Sequence, residues 1–66
     1  MRVTVNGDDR DLAGRTTVAD AVVELTGLRR GVAVAVNGEV VPRGQWAETP
    51  LADGDRIEVL SAAQGG

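Results

Sequence analysis

With 66 residues, of which 42% are hydrophobic and 26% charged, the chain can form one small folded domain but not a second core. Its net charge of -3 provides no basic surface for nucleic acid or for an anionic membrane. Histidine, cysteine, lysine and tyrosine are all absent, which removes most side-chain nucleophiles, so we expect a chain that is not itself an enzyme.

The first predicted elements form a hairpin. Residues 1–6 alternate between apolar and polar side chains, a pattern typical of a strand with one buried face. Asn6-Gly7 predicts a tight turn, because both residues tolerate a positive φ. Residues 10–13 predict a second, more polar strand at the edge of a sheet.

A helix is predicted over residues 18–26. Thr17 can cap its first turn, and Asp20 can return a hydrogen bond to the cap. Gly27 is a typical stop signal. The apolar side chains of the helix fall on one stripe, which must pack on a sheet; they are Val18, Ala21, Val22 and Leu25.

The remaining elements are mainly strands. Residues 32–36 form an unbroken run of small apolar side chains, typical of an interior strand. Asn37-Gly38 predicts a second tight turn into a short strand over residues 39–41, which Pro42 ends.

A connection over residues 43–50 carries the only aromatic residue, Trp46, and a turn over residues 52–55 follows. The last strand is predicted over residues 56–61, with Ile57 and Val59 directed inward.

This order of elements predicts the α+β class: a mixed sheet of four to five strands covered by one helix. In such a β-grasp arrangement the first and last strands lie side by side in parallel, and the last strand is central. We expect a domain over residues 1–61 and a flexible C-terminal tail over residues 62–66 that ends in Gly-Gly.

The tail carries the clearest chemical signal. Gly65 and Gly66 lack a Cβ and can pass through a narrow channel into another protein's active site; the alternative is a frayed, glycine-rich end. A terminal carboxylate is ionised and unreactive, so it would need activation, most simply as an acyl adenylate made with ATP. The chain has no phosphate-binding loop, so the nucleotide site must belong to a partner. If sulfur is then transferred to the chain, no cysteine can hold it, so the sulfur would have to reside on the terminal carbonyl as a thiocarboxylate.

Several segments resemble the ThiS family, the ubiquitin-like sulfur-carrier proteins of thiamine biosynthesis. The similar segments are V-N-G-E-V-V-P-R at residues 36–43, Q-W at residues 45–46, L-A-D-G-D-R-I-E-V-L at residues 51–60, and the final Gly-Gly. The V-P-R followed by tryptophan is the more specific part, whereas the final Gly-Gly is shared by ubiquitin-like carriers in general.

The resemblance implies that Gly66 is adenylated by a ThiF-type enzyme and converted to a thiocarboxylate, with Gly65 giving clearance. Sulfur would come from a donor such as a cysteine desulfurase and pass to thiazole synthase, ThiG. The chain itself would bind no cofactor or metal, since ATP is used by the partner. We expect a cytoplasmic protein that is monomeric when free. Ala63-Gln64 replaces the apolar pair that often precedes the glycines in this family.

Four residues are candidates for the partner interface. Leu60 lies on the outward side of its strand, close to the tail, and Gln64 lies within the tail. Trp46 could anchor a partner, although a lone tryptophan in a small domain more often completes the core. Arg43 could pair with an acidic surface, although a solvated arginine is the more common case. Asp53 and Asp55 are interpreted as turn residues rather than metal ligands.

Alternative functions remain open at this point. The small subunit of molybdopterin synthase has a similar fold and tail, but those chains are usually longer and lack the pairing of V-P-R with tryptophan. A β-grasp interaction module without a catalytic role, or a protein tag, would share the same fold.

Overall fold

The computed structural model of the chain describes residues 1–27 and 30–61, which form a five-stranded mixed sheet with a helix against one face. The strands are β1 (Arg2–Val5), β2 (Asp8–Asp11), β3 (Val32–Val36), β4 (Glu39–Val40) and β5 (Arg56–Ser61). The helix is α1 (Val18–Thr26), and a 3₁₀ helix spans Arg43–Glu48. Within the described ranges, no helix is both long enough and apolar enough to cross a bilayer.

Strand β5 is the centre of the sheet, whose order is β2-β1-β5-β3-β4. It runs parallel to β1, with Val5 opposite Ile57. On its other edge it runs antiparallel to β3, from Val36 opposite Ile57 to Val32 opposite Ser61. The predicted β-grasp arrangement, with adjacent parallel first and last strands, is therefore confirmed.

Both predicted Asn-Gly turns are confirmed. Asn6 and Gly7 have φ angles of 51° and 88°, and Asn37 and Gly38 have φ angles of 52° and 85°. These are left-handed conformations, which asparagine and glycine adopt with less strain than other residues. Each turn therefore reverses the chain in two residues.

The predicted bounds of β2 were wrong by two residues. The prediction placed this strand at residues 10–13, but pairing begins at Asp8, directly opposite Val5, because the two-residue turn brings the chains together at once. All four residues of β2 are exposed, and charged side chains of this kind discourage pairing with another sheet. Strand β4 ends one residue earlier than predicted, although the Val41 N–H still donates to the Val34 carbonyl over 2.9 Å.

The predicted helix has the predicted bounds. The Thr17 hydroxyl accepts from the Asp20 N–H, and the Asp20 carboxylate accepts from the Thr17 N–H, which completes a capping box. At the other end Gly27 has a φ of 71° and donates its N–H to the Val23 carbonyl over 2.8 Å.

The 3₁₀ helix over Arg43–Glu48 was predicted only as a connection. It carries Trp46 into the core, where 6% of the residue remains exposed. The core lies between α1, the 3₁₀ helix and the inner face of the sheet. Its buried apolar residues are Val3, Val5, Leu12, Val18, Ala21, Val22, Val34, Trp46, Leu51, Ile57 and Val59.

Candidate functional site

Strand β5 leads from the centre of the sheet toward the predicted reactive end. Its last residue, Ser61, is followed by residues 62–66, so Gln64, Gly65 and Gly66 lie outside the described residues. The predicted division into a domain and a tail therefore stays a prediction. The structure describes strand β5, which precedes this segment.

Alternation along β5 separates a buried face from an exposed one. Ile57 and Val59 point into the core with 2% and 9% of their surface exposed, as predicted from their parity. Arg56, Glu58 and Leu60 point to the opposite face of the sheet, and all three are exposed. The strand is therefore anchored by its inward residues while its outward residues remain available for contact.

The exposed face of the sheet carries an apolar patch, which we call the open-face patch. It consists of Leu60 on β5, Ala33 and Ala35 on β3, and Val40 on β4. Strand pairing brings these residues together, since Leu60 lies opposite Ala33 and Ala35 lies opposite Val40. They line a shallow groove of about 190 Å³, with Asn6 and Glu58 at its margin.

Large side chains make the open-face patch prominent. Leu60 is 72% exposed and Val40 is 77% exposed. The small side chains of Ala33 and Ala35 lie between them and form the bottom of the groove, and Leu60 and Val40 form its two sides. An apolar groove with raised walls is a shape that a protruding apolar side chain of a partner can fill.

Two further candidates, Trp46 and Arg43, lie on the other side of the molecule beside α1. Trp46 is buried, and its indole N–H donates to the Val41 carbonyl over 2.9 Å. Arg43 is exposed at the start of the 3₁₀ helix. Both line a shallow groove of about 330 Å³ between that helix and α1, together with Ala19 and Val23. The structure thus does not bring Trp46 and Arg43 together with Leu60.

The paired aspartates serve the turn before β5. An Asp53 carboxylate oxygen accepts from the Arg2 N–H over 2.7 Å, and an Asp55 carboxylate oxygen accepts from the Ala52 N–H over 2.8 Å. Among the residues that the structure describes, no group of acidic side chains could hold a metal ion. The backbone hydrogen bonds that the two carboxylates accept confirm the interpretation of Asp53 and Asp55 as turn residues.

Sequence reasoning missed the side-chain role of two asparagines. Asn6 binds the backbone of Val59, with its Oδ1 accepting from the N–H over 2.9 Å and its Nδ2 donating to the carbonyl over 3.0 Å. Asn37 accepts from the Arg56 N–H over 2.9 Å. Both were predicted for their backbone conformation alone. Both turns have asparagine rather than glycine at their first position, and this was the feature of the sequence that could have indicated a side-chain role.

Comparisons with known proteins agree on one family. The model of the ThiS family matches residues 3–66. The sulfur carrier protein ThiS of Escherichia coli is 33% identical over 66 residues, which cover 100% of both chains. A thiazole synthase of Paramagnetospirillum magneticum is 35% identical over 66 residues, but these span only 20% of that relative's length. A crystal structure of the thiamine biosynthesis protein ThiS from Geobacter metallireducens superposes with a TM-score of 0.83 at 33% identity, covering 92% of this chain and 93% of that one.

Proposed function

The chain belongs to the ThiS family, and we propose that it is a sulfur carrier of thiamine biosynthesis. The observation that carries this proposal is the match to the E. coli sulfur carrier, which extends over the whole of both chains. Such a chain acts as a carrier and a co-substrate of other enzymes, and it is not an enzyme itself. The proposal places it in the cytoplasm, where the ATP for its activation is made.

The proposed chemistry takes place at the carboxyl group of Gly66. A carboxylate oxygen attacks the α-phosphorus of ATP, pyrophosphate leaves, and an acyl adenylate forms. The persulfide of the sulfur donor then attacks the acyl carbon with its outer sulfur and displaces AMP, which gives an acyl disulfide. A thiol then attacks the donor's sulfur, so that the S–S bond breaks, the donor leaves as a disulfide with that thiol, and Gly66 keeps the outer sulfur as a thiocarboxylate. Nucleotide binding is the task of the partner, because the sequence has no lysine and no phosphate-binding loop.

Three partners follow from this chemistry. A ThiF-type enzyme supplies the adenylation site, and a cysteine desulfurase is a suitable sulfur donor. A thiazole synthase, ThiG, receives the sulfur. The P. magneticum relative supports the last of these, since a sequence similar to this chain occurs there within a protein named thiazole synthase. Gly65 gives clearance beside the reacting carbonyl, because it has no side chain to collide with a narrow channel.

We further propose that the open-face patch docks on the activating enzyme, with Leu60 as its main contact. Leu60 is exposed and lies one residue before the end of β5, so a partner that binds it also lies next to the departing chain. Gln64 would make contacts inside the channel. Arg43 lies away from this patch, where it is available to a second partner, and the burial of Trp46 supports a role in holding the fold.

Deletion of Gly66 tests the proposed function. We expect the variant to lose all ATP-dependent adenylation by a ThiF-type enzyme, because the carboxyl group is then one residue short of the reacting phosphorus. Release of pyrophosphate measures the reaction. The unfolding midpoint in urea should not change, since residues 1–61 contain the whole described core.

A variant with one extra alanine appended after Gly66 is the matched control for length. We expect it to be inactive as well, because the carboxyl group is displaced in the opposite direction. Full adenylation of either variant would contradict the requirement for a carboxyl group at the position of Gly66. Failure of the wild type to be adenylated would favour an interaction module in which the glycines have no chemical role.

A further inference from the structure

The Asn6 side chain binds β5 where the regular pairing of that strand with β1 has ended. The residue pairs of the parallel ladder end at Val5 and Ile57. One more backbone hydrogen bond runs from the Asn6 N–H to the Ile57 carbonyl over 2.9 Å, after which the chain turns away. A continued parallel strand would offer Val59 one carbonyl acceptor and, two residues later, one N–H donor. The Asn6 amide supplies both groups, since Oδ1 accepts from the Val59 N–H and Nδ2 donates to the Val59 carbonyl. One side chain thus extends the pairing of β5 toward its C-terminal end.

The choice of asparagine at this position follows from two requirements. The φ of 51° at Asn6 is a conformation that asparagine, aspartate and glycine tolerate best. Of these three, only asparagine has both a donor and an acceptor on its side chain. The residue that forms the turn is therefore also able to satisfy both backbone groups of Val59.

We propose that Asn6 is a positioning residue for the transfer reaction, which holds the C-terminal end of β5 in place from Val59 to Ser61. This inference rests on the proposed function. Val59 is held from one edge of β5 by β3, through its pair Val34, and from the other edge by Asn6. The next two residues are Leu60 and Ser61, so the docking side chain and the last residue of β5 keep a fixed relation to each other.

The expected consequence lies in binding rather than in chemistry. Without the Asn6 amide, the end of β5 is less ordered before the partner binds. Docking must then order it, and the loss of conformational entropy weakens the complex. The reacting carboxyl group and the nucleotide site of the partner are unchanged. Loss of the Asn6 amide should therefore raise KM for the carrier and leave kcat unchanged.

The second turn provides a matched control. Asn37 has nearly the same φ and also uses its side chain at β5, where Oδ1 accepts from the Arg56 N–H and Nδ2 donates to the Asp55 carboxylate over 3.0 Å. These contacts lie at the beginning of β5, at the end far from Ser61. Asn6→Gly and Asn37→Gly both preserve a glycine-compatible turn and both remove two side-chain hydrogen bonds.

The experiment compares these two variants with the wild type in three measurements: urea unfolding, amide hydrogen exchange at Leu60 and Ser61, and the kcat and KM of adenylation by a ThiF-type enzyme. We expect similar losses of stability for both. Only Asn6→Gly should speed exchange at Leu60 and Ser61, and only Asn6→Gly should raise KM, by about tenfold for two hydrogen bonds. Asn6→Asp, which keeps the acceptor but not the donor, should give an intermediate KM.

Equal KM values for Asn6→Gly and Asn37→Gly, after correction for the folded fraction, would overturn the proposal. So would unchanged exchange at Leu60 and Ser61 in Asn6→Gly. If the wild type itself is not adenylated, the sulfur-carrier function fails, and the exchange comparison alone decides whether Asn6 holds the end of β5.

Discussion

Leu60 combines two properties that single residues of the described chain rarely share. Its side chain is 72% exposed, and it lies one residue before the end of the central strand. Val23 is also an exposed aliphatic residue, at 42%, but it belongs to α1 on the opposite side of the sheet. Substitutions at the two residues can therefore distinguish a general effect of exposed apolar surface on binding from an effect of the position of Leu60.

Leu60→Ala is expected to raise the KM of adenylation by about tenfold, because truncation of the few residues that dominate an interface costs more than about 1 kcal/mol of binding free energy. The free energy of unfolding should change by less than about 0.5 kcal/mol, as is usual at exposed positions. Val23→Ala is the control and should leave KM unchanged. An unchanged KM for Leu60→Ala, or an equal rise for Val23→Ala, would remove the open-face patch from the docking proposal.

Single-residue prediction from the sequence worked where alternation decided the outcome. The parity of β5 was enough to place Leu60 outward and Ile57 inward, because successive side chains of a strand point to opposite faces. It failed for the contact between Asn6 and Val59, which are 53 residues apart in the chain. No local sequence pattern predicts a hydrogen bond over that separation, because such a bond depends on how the strands are arranged in the sheet.

At the scale of elements, α1 illustrates how local signals define a helix. Thr17 and Asp20 complete the capping box with hydrogen bonds of 3.2 Å and 3.3 Å. The helix is only nine residues long and contains three valines, so its intrinsic stability is low. The cap and the packing of its apolar stripe must therefore stabilise it together.

Thr17→Ala should lower the free energy of unfolding by about 1 kcal/mol, the typical effect of losing an N-cap side chain. For a domain of this size that corresponds to a fall in Tm of about 4–8 °C. Thr17→Ser retains the hydroxyl group and should keep most of the stability. A Tm for Thr17→Ala equal to that of the wild type would contradict a stabilising role of the cap. Thermal unfolding followed by circular dichroism provides the measurement.

Elements with clear start and stop residues were predicted well, and elements without such residues were not. The bounds of α1 follow from Thr17 and Gly27, which are explicit start and stop residues. The 3₁₀ helix has no side-chain cap at Pro42 and is too short to show a helical period, so the sequence indicated only a connection. Strand β2 was shifted because its exposed, charged residues carry no apolar alternation.

On the scale of the whole molecule, the topology connects the fold to the proposed chemistry. The final strand lies in the middle of the sheet, with β1 on one edge and β3 on the other. Its last described residues are thus held by the rest of the domain. The order of elements predicted this arrangement, because a helix between two hairpins leaves few ways to complete one mixed sheet.

The reactive end itself was inferred from residue types and from resemblance, and Gly66 lies outside the described residues. What the structure adds is the base of that end: a central strand, an exposed leucine beside it, and an asparagine that binds its backbone. These features support the proposal that a larger enzyme docks beside the end of β5.

The central claim is that the Gly66 carboxyl group carries sulfur, and intact-mass spectrometry tests it most directly. The purified chain is incubated with ATP, a ThiF-type enzyme, a cysteine desulfurase with its substrate and a thiol reductant, with the E. coli carrier treated in parallel. We expect a mass gain equal to exchanging one oxygen for one sulfur, located at Gly66 by fragmentation and absent without ATP. An unchanged mass under conditions that convert the E. coli carrier would contradict the sulfur-carrier function.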